Sequence, residues 1–450
     1  MNFGLESEKL LFNLTKNRPS EGVFRIIDAL SDYNSIFGKD ITARVSNEFV
    51  LNMIEIGTSP SPEPMEVIKD YLLTLMLVQT ISNREDVALV PLGSLPMDYL
   101  PHILPKWPYY VQNSILDHKK QESWNMEHLS PLRAAGNCAG IHVHVELETA
   151  PEFLFMNREL QDKFNMGLCL SPMIAFSSSP YFFDKHEATS MRGMSYYHGV
   201  YAKEKLNGGL PPVMGSSEEV LRYFDKGINA WIERGMALGF PKDNLLELTR
   251  KKGANWNPVR WNRAWNTIEI RCLDSDRMDL DSAKFVLATA AMSRMDLQGE
   301  KLQCEPLKTT KNSLDANLID QCFEVTGMKV SILPSELLME LFDRSMKSGL
   351  RDPLVARYLR KLQDFAQEKA PEHLAWAFTL LDGILESQMT TSEVILSFTN
   401  GSRKLTATQA IDVVHLAIDE QKKNLPAFQA LFPEVFARLD ASDPRQMLHS

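Results

Sequence analysis

Glu6 and Glu8, in the run GLESEK, are separated by one residue. Alternate side chains of an extended strand share a face, so the two carboxylates would project side by side. Paired carboxylates repel unless a cation sits between them, and hard divalent cations prefer oxygen ligands; a bare E-x-E also occurs as an ordinary solvated strand edge. Glu55 lies in the apolar setting Met53-Ile54-Glu55-Ile56, where a carboxylate is costly to bury unless it is paired or bound to metal. Glu48 precedes it by an odd spacing, which puts the two on opposite faces of a regular strand, so they share a site only if a bulge or bend intervenes. His142 and His144, in CAGIHVHVELET (138–149), present two imidazoles on one strand face, as metal sites require, with Glu146 and Glu148 following on that face. A zinc hydrolase would need further ligands. After His144 only His186, His198, His373, His415 and His449 remain, the last three in a helix-rich tail.

Glu269 and Arg271, in NTIEIRCLD (266–274), again share a face, bracketed by Thr267 and Asp274. They read either as a surface ion pair or as a metal ligand beside a phosphate clamp. The run Ser177-Ser178-Ser179-Pro180, followed by a loop to Arg192, suits a carboxylate or phosphate, although serine runs also make plain turns.

The elements that must carry these groups follow from periodicity. Alternation predicts strands over 2–12, 46–58, 138–149 and 266–274, with apolar residues such as Ile141, Val143 and Val145 opposite the polar set. An antiparallel sheet with one apolar and one polar face is implied. Helical spacing covers 62–82, 151–166, 215–238 and 277–297, so the first 300 residues form an α+β arrangement. Amphipathic helices then follow over 334–348, 352–368, 371–388, 406–422 and 425–438. The polar stretch around 301–313 is the candidate linker between a catalytic unit (1–300) and a helical C-terminal region (314–450).

The chain's 450 residues are ample for two such units. A formal net charge of −10 argues against a sequence-independent nucleic-acid binder, which needs a basic footprint. Five widely spaced cysteines without a C-x-x-C pair suit a reducing cytoplasm. No apolar run approaches membrane-spanning length.

Taken in order, GLESEK (4–9), EFVLNMIEIGTSP (48–60), GIHVHVEL (140–147), SPMIAFSSSPYF to TSMR (171–192) and NTIEIRCLD (266–274) resemble the glutamate–cysteine ligase family of carboxylate–amine ligases. The resemblance implies a glutamine-synthetase-like antiparallel sheet curved into a funnel, lined by acidic groups that hold Mg²⁺ against ATP. It puts Glu6, Glu8, Glu55, His142 and Glu269 at metal-binding positions, with Glu269 and Arg271 at the reacting groups. Arg192, with Ser179 and His144, is expected at the substrate amino acid, and Arg271 near the transferred phosphate. The segment NWNPVRWN (255–262) is similar to a family stretch that would bring Arg260 to the nucleotide. Glu146 stands where the small-ligase branch usually has glycine, and the loop 181–191 is not the usual Gly-rich version, both near the expected substrate.

The implied activity is ATP- and Mg²⁺-dependent amide formation through an acyl phosphate, with glutamate as the acid, cysteine as the default amine, and small molecules as the only substrates. A non-catalytic nucleotide or amino-acid sensor on the same fold stands beside it, as does a hydrolase or kinase stopping at the acyl phosphate. The helical tail is expected to supply a lid, a homo-oligomer contact or a partner site.

Overall fold

The computed structural model describes residues 1–33, 44–48, 50–97, 99, 101–102, 104, 136–183, 186–200, 206–252, 255–297, 300–399 and 405–440. Its centre is an eight-stranded antiparallel sheet. The strands are β1 (Phe3–Asn13), β2 (Arg18–Pro19), β3 (Val45–Asn47), β4 (Met53–Gly57), β5 (Val87–Val90), β6 (Gly140–Glu146), β9 (Val259–Asn262) and β10 (Thr267–Asp274). A separate hairpin of β7 (Tyr181–Phe183) and β8 (His186–Ala188) falls between β6 and β9 in sequence. The main path runs β3-β4-β1-β6-β10-β9, while β2 and β5 pair with the far half of β1.

Strict alternation makes this sheet two-faced. Ile54, Ile56, Leu5, Val143, Ile268 and Ile270 are fully or almost fully buried on the back. There the helices Pro64–Arg84, Glu159–Leu170 and Met278–Arg294 cover them. Burying such side chains stabilises by about 1.5–3 kcal/mol each, and a one-residue slip would exchange the faces.

Two departures from the expected strands shape the front. The stretch 46–58, expected as one strand, folds back on itself: β3 and β4 pair antiparallel, Ser46 opposite Glu55. In β10 the register shifts between Ile270 and Leu273, so Arg271 and Cys272 together oppose His142. This bulge returns Leu273 to the core and puts Asp274 opposite Gly140 on the front.

The helix expected over 151–166 begins later, at Glu159, after a 3₁₀ turn Pro151–Met156. The expected break between 422 and 425 is absent: one helix, Ala407–Leu431, runs through Pro426. Phe428 anchors its end against Trp376 and Phe432, which offsets the hydrogen bond that proline removes.

Within the expected linker, Gln303–Pro306 forms a strand parallel to Lys329–Ile332. Cys304 there is buried and its N–H bonds Asp162 Oδ1 at 3.0 Å. The segment is therefore packed onto the preceding unit rather than free. The C-terminal helices share the sheet's core: the Met278–Arg294 helix packs on Pro353–Gln367 and Ala375–Ser387. Val413, Val414 and Ile418 cover Leu10 and Phe12, which follow Glu6 and Glu8 on the front of β1. Among the described residues no helix is long and apolar enough to cross a membrane.

Candidate active site

The front of the sheet gathers charged groups from five strands. Glu6 of β1 lies opposite His142 of β6, Glu8 opposite Glu55 of β4, and Glu269 of β10 opposite His144 of β6 and Arg260 of β9. Glu6 Oε2 is 3.1 Å from His142 Nδ1 and 3.3 Å from His144 Nε2. Burial pushes the Glu6 carboxyl up, but the two imidazoles outweigh it and hold the group well below the usual carboxylate range. Burial lowers His144, yet Glu6 and Glu269 raise its net affinity for a proton.

Glu269 has no exposed side-chain surface. It accepts from Arg260 Nε at 2.7 Å and Asn262 Nδ2 at 2.9 Å, and lies 3.1 Å from Arg271 Nε. Burial would raise its carboxyl, but the two guanidiniums hold it far down. Arg260 and Arg271 each also donate to the Asn255 carbonyl at 3.2 Å, so both are pinned side by side.

Glu48 needs a bend to share a site with Glu55, and the antiparallel pairing of β3 with β4 supplies it. Ligand atoms of Glu8, Glu48 and Glu55 lie within 4.8 Å of one another, as do those of Glu6, His142 and Glu269. Burial, with Glu48, Glu6 and Glu8 as neighbours, pushes the Glu55 carboxyl well up. His142 Nε2 is buried without a hydrogen-bond partner, and Glu269 Oε1, equally buried, meets Arg271 Nε at 3.1 Å outside hydrogen-bond geometry. Crowded carboxylates with unspent donor atoms are what a divalent cation would relieve, so the residues present fit two such ions.

The other end of the front holds Arg192. It is 3% exposed; it donates to Glu8 Oε2 at 2.9 Å and to the Arg271 carbonyl at 3.1 Å. Its Nε stands 3.8 Å from Asp274 Oδ1. Burial disfavours the charge, and Glu8 more than restores it. Gly140 makes room: a Cβ there would lie 2.2 Å from the guanidinium and 2.7 Å from the Leu273 carbonyl.

Ser179, expected at the substrate, spends its hydroxyl on Asp274 Oδ2, which also accepts from Ser177 Oγ at 2.6 Å. The serine turn therefore holds Asp274 directly. Glu146 turns away to accept from the Asn2 amide at 2.9 Å, and Glu148 pairs with the N-terminal ammonium and Lys301.

Behind the sheet a buried polar network fastens the segment after β10. Lys9 Nζ donates to Asp281 Oδ2 at 2.6 Å and to the Asp276 carbonyl at 2.7 Å; Lys284 Nζ donates to the Asp274 carbonyl at 2.9 Å. Tyr71 adds a hydrogen bond to Asp281 at 2.9 Å. Sequence reasoning missed Asp274 as a front-face group, because unbroken alternation assigns it to the back, and missed this network entirely. It also missed Trp265, exposed at the β9–β10 turn with its ring centroid 5.0 Å from that of His144.

A mixed helix and antiparallel-sheet fold carries, on the front of its sheet, two clusters of acidic and imidazole groups set between arginines, and the family it matches is one of ATP-dependent ligases. Residues 2–329 match the family described as glutamate-cysteine ligase family 2 (GCS2), and the chain belongs to that family. A glutamate–cysteine ligase from Francisella tularensis, solved in complex with AMP, shares the fold at a TM-score of 0.52 and 13% identity, over 99% of this chain and 93% of that one. A bifunctional glutathione synthetase from Pasteurella multocida aligns at a TM-score of 0.49 and 12% identity over 93% of this chain. The chain spans 52% of that protein's length. No curated protein sequence matches the chain.

Proposed function

We propose that the chain is an ATP- and Mg²⁺-dependent carboxylate–amine ligase that activates the γ-carboxylate of glutamate and passes it to the amine of a second amino acid, cysteine by default. The observation that carries this reading is the pair of ligand sets, Glu6–His142–Glu269 and Glu8–Glu48–Glu55, on one sheet face between Arg192 and the Arg260–Arg271 pair. Bound Mg²⁺ held by these sets would neutralise phosphate charge and bring nucleotide and acid together.

The chain's own groups then divide the work. Arg260 and Arg271, pinned by Glu269 and the Asn255 carbonyl, are preorganised to stabilise charge on the transferred phosphoryl group. A carboxylate oxygen of the acid attacks the γ-phosphorus, the bond to ADP breaks, and an acyl phosphate forms. Arg192, oriented by Glu8, suits the α-carboxylate of the bound amino acid. The incoming amine attacks the acyl carbon, loses a proton and expels phosphate, leaving an amide. Exclusion of water protects the acyl phosphate from hydrolysis.

The test is purified protein with ATP, Mg²⁺ and an amino-acid panel, read by ADP release and product mass. The expected result is glutamate-dependent ADP release with a product equal to two substrates less water. ADP release without a condensed product would point to a kinase or hydrolase, and binding without turnover to a sensor. The five cysteines, all buried and free, suit a reducing, cytoplasmic setting.

A further inference from the structure

The stretch beyond residue 329 lies outside the family match, yet it touches the acid end of the site at three points. The helix Thr391–Ser397 presents Thr391 Oγ1 to Asp276 Oδ1 at 3.0 Å. The next residue, Ser392, donates its N–H to the Ser177 carbonyl at 3.0 Å and its hydroxyl to the Thr189 carbonyl. Ser392 is fully buried.

These acceptors belong to three different segments. Ser177 lies in the serine turn that holds Asp274. Asp276 is two residues beyond Asp274 and receives Lys284. Thr189 is three residues before Arg192, and its segment is tied again by the C-terminal region: Thr189 N–H bonds the Lys347 carbonyl at 3.3 Å and Ser190 N–H the Met346 carbonyl at 3.2 Å. Gly349, at φ +55°, passes so close to Thr189 that a Cβ would lie 2.8 Å from its hydroxyl. The sheet alone cannot set the distance between Arg192 and Asp274, because Arg192 is not on a sheet strand. Two adjacent residues of one C-terminal helix bond both sides of that gap.

We propose that the C-terminal helical region is part of the catalytic apparatus, with Thr391 and Ser392 acting as positioning residues that hold Arg192 and Asp274 in register for the substrate acid. This rests on the ligase reading for the identity of the acid, but the clasp itself does not. Loss of either contact displaces the acid end, while the guanidiniums of Arg260 and Arg271 and the Glu269 carboxylate keep their own ties to Asn255 and Asn262; Arg192 bonds the Arg271 carbonyl, not its guanidinium.

The experiment compares full-length Ser392→Ala, Thr391→Val and the conservative Thr391→Ser with the wild type. Ser392→Ala and Thr391→Val should raise the KM for glutamate roughly tenfold or more, in keeping with the steep cost of small misplacements. KM for ATP should stay within about twofold of wild type, because ground-state contacts at the nucleotide end are untouched. Thr391→Ser should restore wild-type values. A control, Gln363→Leu, breaks a comparably buried hydrogen bond to the Phe378 carbonyl in the same helical layer; it should lower stability without splitting the two KM values. Hydrogen exchange is read in parallel on ligand-free protein, where amides of 189–192 should exchange faster in Ser392→Ala, which loses the bond to the Thr189 carbonyl, and those of 275–276 faster in Thr391→Val, which loses the bond to Asp276. If the wild type makes no amide, the proposed function falls while faster exchange still upholds the clasp. Unchanged exchange, or equal movement of both KM values, overturns the clasp whatever the activity.

Discussion

Replacing Glu269 with glutamine removes one charge and almost no volume, so its effect isolates electrostatics. In the wild type this carboxylate, fully buried, sits between two guanidiniums at 2.7 and 3.1 Å and accepts from Asn262. Glutamine would turn an amide donor toward at least one arginine and leave Arg260 and Arg271 facing each other around a shared Asn255 carbonyl. Breaking a buried ion pair by removing one partner costs about 3–5 kcal/mol. That is a large share of the ~5–15 kcal/mol that holds a domain folded, so Glu269→Gln should remain folded but with a clearly lower urea midpoint. Turnover should fall further than stability, since even outer partners of metal ligands contribute about 10–100-fold. Glu6→Gln is the comparison: its side chain is 17% exposed and faces imidazoles rather than arginines. It should lose a similar amount of turnover for a smaller loss of stability. The assay is urea unfolding and ADP release on both variants at matched Mg²⁺. Wild-type stability together with near-wild-type turnover in Glu269→Gln would refute both its placement between the arginines and its role at the metal.

Other consequences are equally concrete. Gly140→Ala should drive a methyl into Arg192 and the Leu273 carbonyl; overpacking of this kind costs about 1–3 kcal/mol, and steady-state kinetics should show the KM for glutamate rising more than that for ATP. Mg²⁺ at about 100 times its Kd should raise folding stability by about 2.7 kcal/mol for each site filled, as read by melting with and without chelator, and the increment should shrink in Glu6→Gln. Burial raises the Glu159 carboxyl, but Lys163 and the Thr149 and Glu148 amides outweigh it and hold it at about 2 against an ordinary 4.5. Because the folded value is depressed, its stabilisation is present above pH 4.5 and is lost as pH falls toward 2; roughly 2 kcal/mol is at stake once solvent screening is allowed for. Urea titrations across that acid range should show a shallower slope in Glu159→Gln, and an unchanged slope would contradict the pairing.

Alternation alone was enough to assign Glu6, Glu8, His142, His144 and Glu269 to polar faces of strands, because a period of two leaves a strand with one buried face no other choice. The helices after residue 330 were legible for the same reason at a period of 3.6. Local pattern carries no information about which strands become neighbours. The order β4-β1-β6-β10-β9, which turns separate polar faces into one site, is decided by tertiary pairing.

Three features were beyond what alternation could decide. The turn between β3 and β4 brings Glu48 beside Glu55, and the bulge in β10 moves Asp274 to the front; each breaks the periodicity from which faces are inferred. The C-terminal helices reach Ser177, Thr189 and Asp276 through contacts that span more than a hundred residues. The chain thus determined which side chains would share a face, since that follows from local backbone geometry. Only the folded whole decided which faces meet, because long-range packing of the apolar side sets the positions of the polar one.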